Sequence, residues 1–370
     1  MNIVILGLSI TSSWGNGHAT TYRALVRALA ARGHQVLFLE RDTPWYAENR
    51  DLVRPPYCRV GVYHDLDDLT RMHGGDIADA ELVIVGSYVP QGIDVADTVL
   101  RLAHGCTAFY DIDTPVTLAA LESDRSAYLS SRQVRAFDLY LSFTGGPTLD
   151  RLERRFGAQR ARALYCSVDP DGYYPDASAT ADVDLGYLGT YSDDRQPTVD
   201  ELLVRPARAW SGGRFVIAGA QYPATIDVPA NVERICHLPP PAHRAFYNRL
   251  RFTLNVTRRD MIAAGHSPSV RLFEAAACGT PIISDDWPGL ANLLKPDVEI
   301  LLARNSREVL AYLHDLPEDS RLAIAARARR RVLEAHTSTH RAAELERYVA
   351  EVRQDGLATA ETSGGVARSA

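Results

Sequence analysis

The sequence has almost no lysine: Lys295 is the only one, so its 40 basic residues are nearly all arginine. A coding bias explains that without invoking function. An excess of basic charge is missing too. With 46 acidic residues the formal net charge is −6, which argues against a nucleic-acid-binding surface. Cysteine is scarce. The five, at 58, 106, 166, 236 and 278, form no CxxC pair and no zinc-ligand spacing, and three lie in or beside apolar runs. They read as reduced thiols of a cytoplasmic protein, not as a disulfide framework. No apolar run approaches the roughly 20 residues that span a bilayer. The stretch from Met1 to Gly7 lacks a basic flank and a cleavage site, and reads as a strand and not a signal peptide. No repeat with a period of a few tens of residues is present.

What the chain does contain is ordinary for a folded protein: 46% hydrophobic and 23% charged residues over a length of 370. That is enough for two domains. Apolar runs alternate with helical patterns. Asn2–Leu6 is continuously apolar, as a parallel strand buried on both faces must be. A polar loop with Gly15 and Gly17 follows, then a helical stretch at about Thr20–Arg32 that Gly33 stops. Further strands are expected at Gln35–Glu40, Leu82–Gly86, Cys106–Tyr110, Leu139–Phe143 and Leu164–Cys166. A stretch rich in Pro, Asp, Ser and Ala at Pro170–Asp184 marks a domain boundary. The alternation then restarts, with strands at Leu185–Leu188, Arg214–Ala218, Val232–His237, Phe252–Val256, Pro281–Ser284 and Glu299–Leu302. Helices fit between them, Thr198–Trp210 and Ser269–Cys278 included. This βα alternation predicts an α/β protein with two doubly wound parallel sheets facing a cleft. The expected domains are 1–175 and 183–338. A last helix at 339–354 is expected to pack back on the first domain, and the small, polar tail 355–370 to be disordered.

Ligands of such sheets bind beyond the carboxyl ends of the strands, so the loops there carry the candidate chemistry. The segment Ser267–Ser284 is the most specific. Ser267 suits an N-cap and Pro268 the first helical position. The helix start offers free amides to a phosphate. Glu274, further into the helix, can accept two hydrogen bonds from a ribose diol. Arg271, three residues before it, shares its face, and a plain Arg–Glu surface pair is the alternative. Gly189 and Tyr191 lie in a turn where a diphosphate can approach the backbone. Arg195 and Arg258 can neutralise that diphosphate, and Tyr222 can frame a base. In the first half, Asn16 and Gly17 lie in a Gly-containing loop that ends at His18. A neutral His18 can deprotonate a hydroxyl. Asp111 and Asp113 follow a strand and can orient an acceptor, act as base, bind a metal or cap a helix. Gly145 opens a helix whose amides can meet an anionic group. The late run Arg327, Arg329, Arg330 and Arg331 has acidic neighbours and reads as a solvated helix face.

Several strings carry a family likeness. Arg271-Leu-Phe-Glu-Ala-Ala-Ala-Cys-Gly-Thr-Pro281 resembles the donor-site motif of GT-B glycosyltransferases. Together with Tyr110-Asp-Ile-Asp-Thr-Pro115, Leu141-Ser-Phe-Thr-Gly-Gly146, Leu188-Gly-Thr-Tyr-Ser192 and Leu254-Asn-Val-Thr-Arg258, it is most similar to the CgeB-like (spore maturation protein) glycosyltransferases. The resemblance covers about residues 1–350. It implies a GT-B fold, a first domain that holds the acceptor, and a second that holds a nucleoside-diphosphate sugar, a UDP-sugar first among them. It implies a metal-free site with no bound cofactor, and Glu274 on the ribose. Many relatives have Glu-x7-Glu, and here His266 takes the first position. The acceptor, whether glycan, metabolite or protein, is left open, as are the oligomeric state and retention or inversion at the sugar. Two other readings stand beside this one: a sugar-nucleotide 2-epimerase, and a non-catalytic coat or scaffold protein of the same fold.

Overall fold

The computed structural model describes residues 1–365, with side chains as far as Asp355. The chain divides into two compact units, Met1–Tyr165 with Thr339–Ala370, and Cys166–Ser338.

The first unit is built on strands β1 (Asn2–Leu6), β2 (Gln35–Arg41), β3 (Arg59–Tyr63), β4 (Leu82–Gly86), β5 (Cys106–Asp111), β6 (Leu139–Ser142) and β7 (Ala161–Ala163). They pair in the order β3-β2-β1-β4-β5-β6-β7, every pair parallel. The second unit uses β8 (Val183–Leu188), β9 (Phe215–Ala218), β10 (Val232–Ile235), β11 (Leu250–Asn255), β12 (Ile282–Ser284) and β13 (Leu301–Leu302). Their order is β10-β9-β8-β11-β12-β13, again all parallel. Each sheet reverses its strand order once, between β1 and β4 and between β8 and β11. Those switch points, at the carboxyl ends of the strands, are where open parallel sheets hold ligands.

The central strands are apolar on both sides because helices cover both faces. Val4, Leu6, Val83 and Val85 share a buried cluster with Ile77, Val95 and Val99 from the covering helices. In the second unit Leu185, Tyr187, Ile217, Leu254 and Ile283 meet Leu202, Leu203 and Val309 in the same way.

The structure departs from the sequence reading in five places. β3 was not foreseen: its pattern Arg-Val-Gly-Val-Tyr is half-exposed, as an edge strand is. The strand expected at Leu164–Cys166 lies at Ala161–Ala163, where Tyr140–Ser142 of β6 provide the pairing. The boundary falls at Tyr165/Cys166 and not at 175. The Pro- and Asp-rich stretch belongs to the second unit, held by Asp176 N–H on Asn248 Oδ1 at 2.7 Å and by Tyr174 under Arg244. The helix expected over Thr198–Trp210 carries a π turn at Asp200–Val204, between Gln196–Val199 and Arg205–Ala209. The last helix runs Ser338–Gly365, so the expected disordered tail is helical that far; residues 366–370 lie outside the described residues.

The last helix is fastened to the first unit by Glu346, which binds Arg32 at 2.6 Å and His34 at 2.7 Å, and by Tyr348, whose hydroxyl donates to the Ala163 carbonyl. The arginine run does more than face solvent. Nε of Arg327, Arg329 and Arg331 donates to the carbonyls of Val298, Ala277 and Leu293. The second of these caps the end of the helix that bears Glu274. No helix among the described residues is long and apolar enough to cross a membrane.

Candidate active site

In the second unit the site grows from β8, β11 and the helix Val270–Ala277. Ser269, not Ser267, is its N-cap: the Ser269 hydroxyl accepts from Arg271 N–H. Ser267 lies two residues earlier, buried, with its hydroxyl on the Met261 sulfur. Arg271 turns away from Glu274 and into the switch point. Its Nε donates to Leu188 O at 2.5 Å and its Nη1 to Asn255 Oδ1 at 2.9 Å, while its guanidinium lies over the Tyr187 ring at 4.9 Å. It thus ties the ends of β8 and β11 together. The alternative, a plain Arg–Glu surface pair, does not form: both side chains are buried and bonded elsewhere.

Around that guanidinium the backbone closes in. A Cβ on Gly189 would come within 2.9 Å of Arg271 Nη2, and one on Gly219 would strike the Gly189 carbonyl. Both glycines are there because nothing larger fits. The turn from Gly189 also carries Tyr191, which packs its ring on Tyr222 at 5.4 Å and donates to Asp193. Tyr222 is itself covered by Arg234 at 4.2 Å. Arg195 reaches back to the Thr190 carbonyl through Nη2 at 2.5 Å, and its Nε is buried with no partner. Arg258 precedes the helix Arg259–Ala264 and acts on Asp194 through its charge.

Glu274 is 2% exposed. Its Oε2 accepts from the Tyr247 hydroxyl at 3.2 Å, with His243 Nδ1 at 3.7 Å, while its Oε1 is buried without a hydrogen-bond partner. An unpaired buried carboxylate oxygen costs about 1–3 kcal/mol or more, so the site holds acceptor capacity in reserve. His266 is set apart from it. It adopts a left-handed φ of 49°, its N–H donates to the Pro288 carbonyl, and its ring packs on Gly289.

Asn255 and Asp285 stand at the carboxyl ends of β11 and β12. Asp285 is buried and accepts from the N–H and the hydroxyl of Thr257 at 2.8 and 2.9 Å. Burial raises its pKa above the usual carboxylate value, against those hydrogen bonds and the nearby Arg271 charge.

In the first unit the loop after β1 is organised by Glu40, a buried residue near the end of β2. Its carboxylate accepts from Ile10 N–H at 2.7 Å, Thr11 N–H at 3.1 Å and the Ser9 hydroxyl at 3.0 Å. Asn16 caps the helix Gly17–Ala31: its Oδ1 accepts from His18 N–H, and its amide donates to Ser9 and Ser12 carbonyls. With all these contacts inside the loop, Asn16 is a cap and not a ligand group. Gly17 is exposed at the helix start. Gly145 lies against Tyr165, whose hydroxyl a Cβ at this position would strike.

Asp111 and Asp113 part company. Asp111 is wholly buried, with Oδ2 accepting from Tyr140 at 2.5 Å and Oδ1 from Thr117 at 2.7 Å and from Asp113 N–H. It is a core group, not an acceptor contact. Asp113, half-buried, accepts from the Tyr88 hydroxyl at 3.1 Å. His18 is half-buried with Nδ1 lacking a partner. Burial holds its pKa below the usual imidazole value, and the Asp113 charge pulls the other way. The neutral ring is what a proton acceptor requires. Two exposed tryptophans stand nearby in the sequence, Trp14 at 36% in the loop after β1 and Trp45 at 57% in the short helix Pro44–Ala47 after β2. Among the described residues no group of three His, Cys, Asp or Glu side chains comes together as a metal site.

Residues 195–347 match the family model described as glycosyl transferase-like. No curated protein matches the chain. Three solved structures share its architecture. Sucrose-phosphate synthase from Thermosynechococcus elongatus has 15% identity and a TM-score of 0.68, over 96% of this chain and 100% of that one. HepE of Anabaena, in complex with UDP and glucose, has 12% identity and a TM-score of 0.69, over 95% and 100%. An alpha-glucosyltransferase in complex with UDP and a 13-mer DNA has 13% identity and a TM-score of 0.68, over 95% and 99%. The chain has the GT-B fold of two Rossmann-like units, and its residues 195–347 match the glycosyl transferase-like family.

Proposed function

We propose that the protein is a glycosyltransferase, a hexosyltransferase of CgeB-like type, that moves a sugar from a UDP-sugar to an acceptor nucleophile without a metal. The single observation that carries this reading is the unpartnered, buried Oε1 of Glu274, on a helix inside the matched span 195–347. A carboxylate held in reserve suits a vicinal diol, and a ribose supplies one. Arg271, Arg195 and Arg258 stand at the carboxyl end of the same sheet, as a diphosphate leaving group requires, since its charge grows as the glycosidic bond breaks. The UDP of HepE and the alpha-glucosyltransferase supports the choice of base. In the first unit His18 and Asp113 would meet the acceptor. Five cysteines outside any disulfide suit a cytoplasmic enzyme.

The test is a thermal-shift titration with UDP-glucose, with and without EDTA, on the wild type and on Glu274→Ala. A ligand at a hundredfold its Kd stabilises the folded state by about 2.7 kcal/mol. The expected result is an EDTA-insensitive rise in Tm for the wild type and none for the variant, whose Tm without ligand is not lowered. An equal shift in both would remove Glu274 from the donor site. No shift with UDP-, ADP-, GDP-, CDP- or dTDP-sugars would count against transfer altogether.

A further inference from the structure

Tyr88 follows β4 directly, and His18 opens the helix that follows β1, so the two stand on either side of the switch point of the first sheet. Tyr88 has a φ of 64°. A bulky residue in the left-handed region costs on the order of 1–3 kcal/mol and persists only where its surroundings hold it. Three contacts do so. Its hydroxyl donates to Asp113 Oδ2 at 3.1 Å. Its ring meets the His18 imidazole edge-on at 5.5 Å and lies 4.7 Å from the Tyr128 ring. Behind it, Tyr128 shares a hydrogen bond with Thr117, and Thr117 donates to Asp111. The strained residue therefore touches both candidate acceptor groups and rests on a buried polar chain.

We propose that Tyr88 is a positioning residue of the acceptor side: its hydroxyl holds Asp113 and its ring edge seats His18, so that imidazole and carboxylate meet one acceptor hydroxyl as a unit. This rests on the glycosyltransferase reading. In the step it serves, the acceptor oxygen bonds to C1 of the sugar and the C1–O bond to the β-phosphate breaks. The electron pair leaves with UDP, and the hydroxyl proton passes to His18. A tyrosine hydroxyl on Asp113 also spends part of the carboxylate charge, so less of it reaches the ring.

The electrostatic part can be read without activity. His18 is followed by NMR in isotopically labelled protein, its signals assigned by their loss in His18→Gln. Tyr88→Phe frees the Asp113 charge and should raise the titration midpoint of His18 by about half a pH unit. Asp113→Asn should lower it. In the Asp113→Asn background, Tyr88→Phe should then do nothing. A phenylalanine that merely loosened packing would act equally in both backgrounds, and that result, or no shift at all, overturns the proposal. Release of UDP from UDP-glucose, with water in the acceptor's place, gives the second reading. Tyr88→Phe should change kcat and its pH profile and leave KM for UDP-glucose unchanged; an altered KM with the profile intact also overturns it. A wild type that releases no UDP would tell against the enzyme reading itself, while the NMR cycle still decides whether Tyr88 links Asp113 to His18.

Discussion

Asp111 is a charge that the fold carries inside itself. Burial pushes its carboxyl up to about 6, the Asp113 charge adds to that, and hydrogen bonds from Tyr140, Thr117 and Asp113 N–H oppose it. The sign for stability follows. Below the ordinary carboxylate range both folded and unfolded chains are protonated, and the group costs nothing. As pH rises from about 4 to about 6 the unfolded chain releases the proton and the folded one keeps it, so stability falls through that window. Above it the full cost, about 3 kcal/mol, applies. Asp111→Asn removes the ionisation and keeps an acceptor for Thr117. Its stability relative to wild type should therefore climb between pH 4 and pH 7 in thermal melts, and a pH-independent difference would refute this account. The same residue marks the limit of reading single positions. Asp-x-Asp after a strand looks like one site, but β5 extends to Asp111, and the pleat carries that side chain inward. Glu40 is the converse. Among the apolar residues of β2 it gave no local signal, because the loop it binds lies some thirty positions earlier in the chain.

Elements were more legible than positions, because periodicity integrates over many side chains. The runs Asn2–Leu6 and Leu82–Gly86 are strands as expected, with the same bounds. Misplacement occurred where two caps competed. Ser267 and Ser269 both suit an N-cap, and Ser269 wins as the helix starts at Val270, leaving Pro268 outside. The glycines of the donor turn make an element-scale prediction. Gly219 has a φ of 153°, and a Cβ there would strike the Gly189 carbonyl. Gly219→Ala must push the Gly189 turn away from Ala218, whose carbonyl now binds Gly189 N–H at 2.8 Å. Strain of about 1–3 kcal/mol should appear as a lower Tm, and the UDP-dependent shift should vanish. A variant that still responds to UDP as the wild type does would mean that this turn does not hold the diphosphate.

At the scale of the molecule, two parallel sheets were visible from alternation alone, but the boundary was not. A stretch rich in Pro and Asp looks like a linker whether or not it packs, and here Tyr173 hydrogen-bonds His243 and Asp176 docks on Asn248. The second unit instead closes on itself at its ends: Val168 N–H donates to His336 O, and Ser338 N–H donates to Val168 O at 2.8 Å. First and last segments are thus stitched together, with Phe273 against His336 at 5.1 Å beneath them. Every proposed donor residue, from Gly189 to Glu274, lies between those stitches. The fragment 166–338 should therefore unfold cooperatively on its own, and UDP should raise its Tm as it does that of the whole chain. Calorimetry with and without UDP checks both statements. A gradual loss of signal would show that the unit depends on the rest of the chain for its fold. A cooperative fragment that ignores UDP, beside a full chain that responds, would show that the diphosphate needs groups from the first unit, and the assignment of Arg195, Arg258 and Arg271 as its sufficient partners would fall.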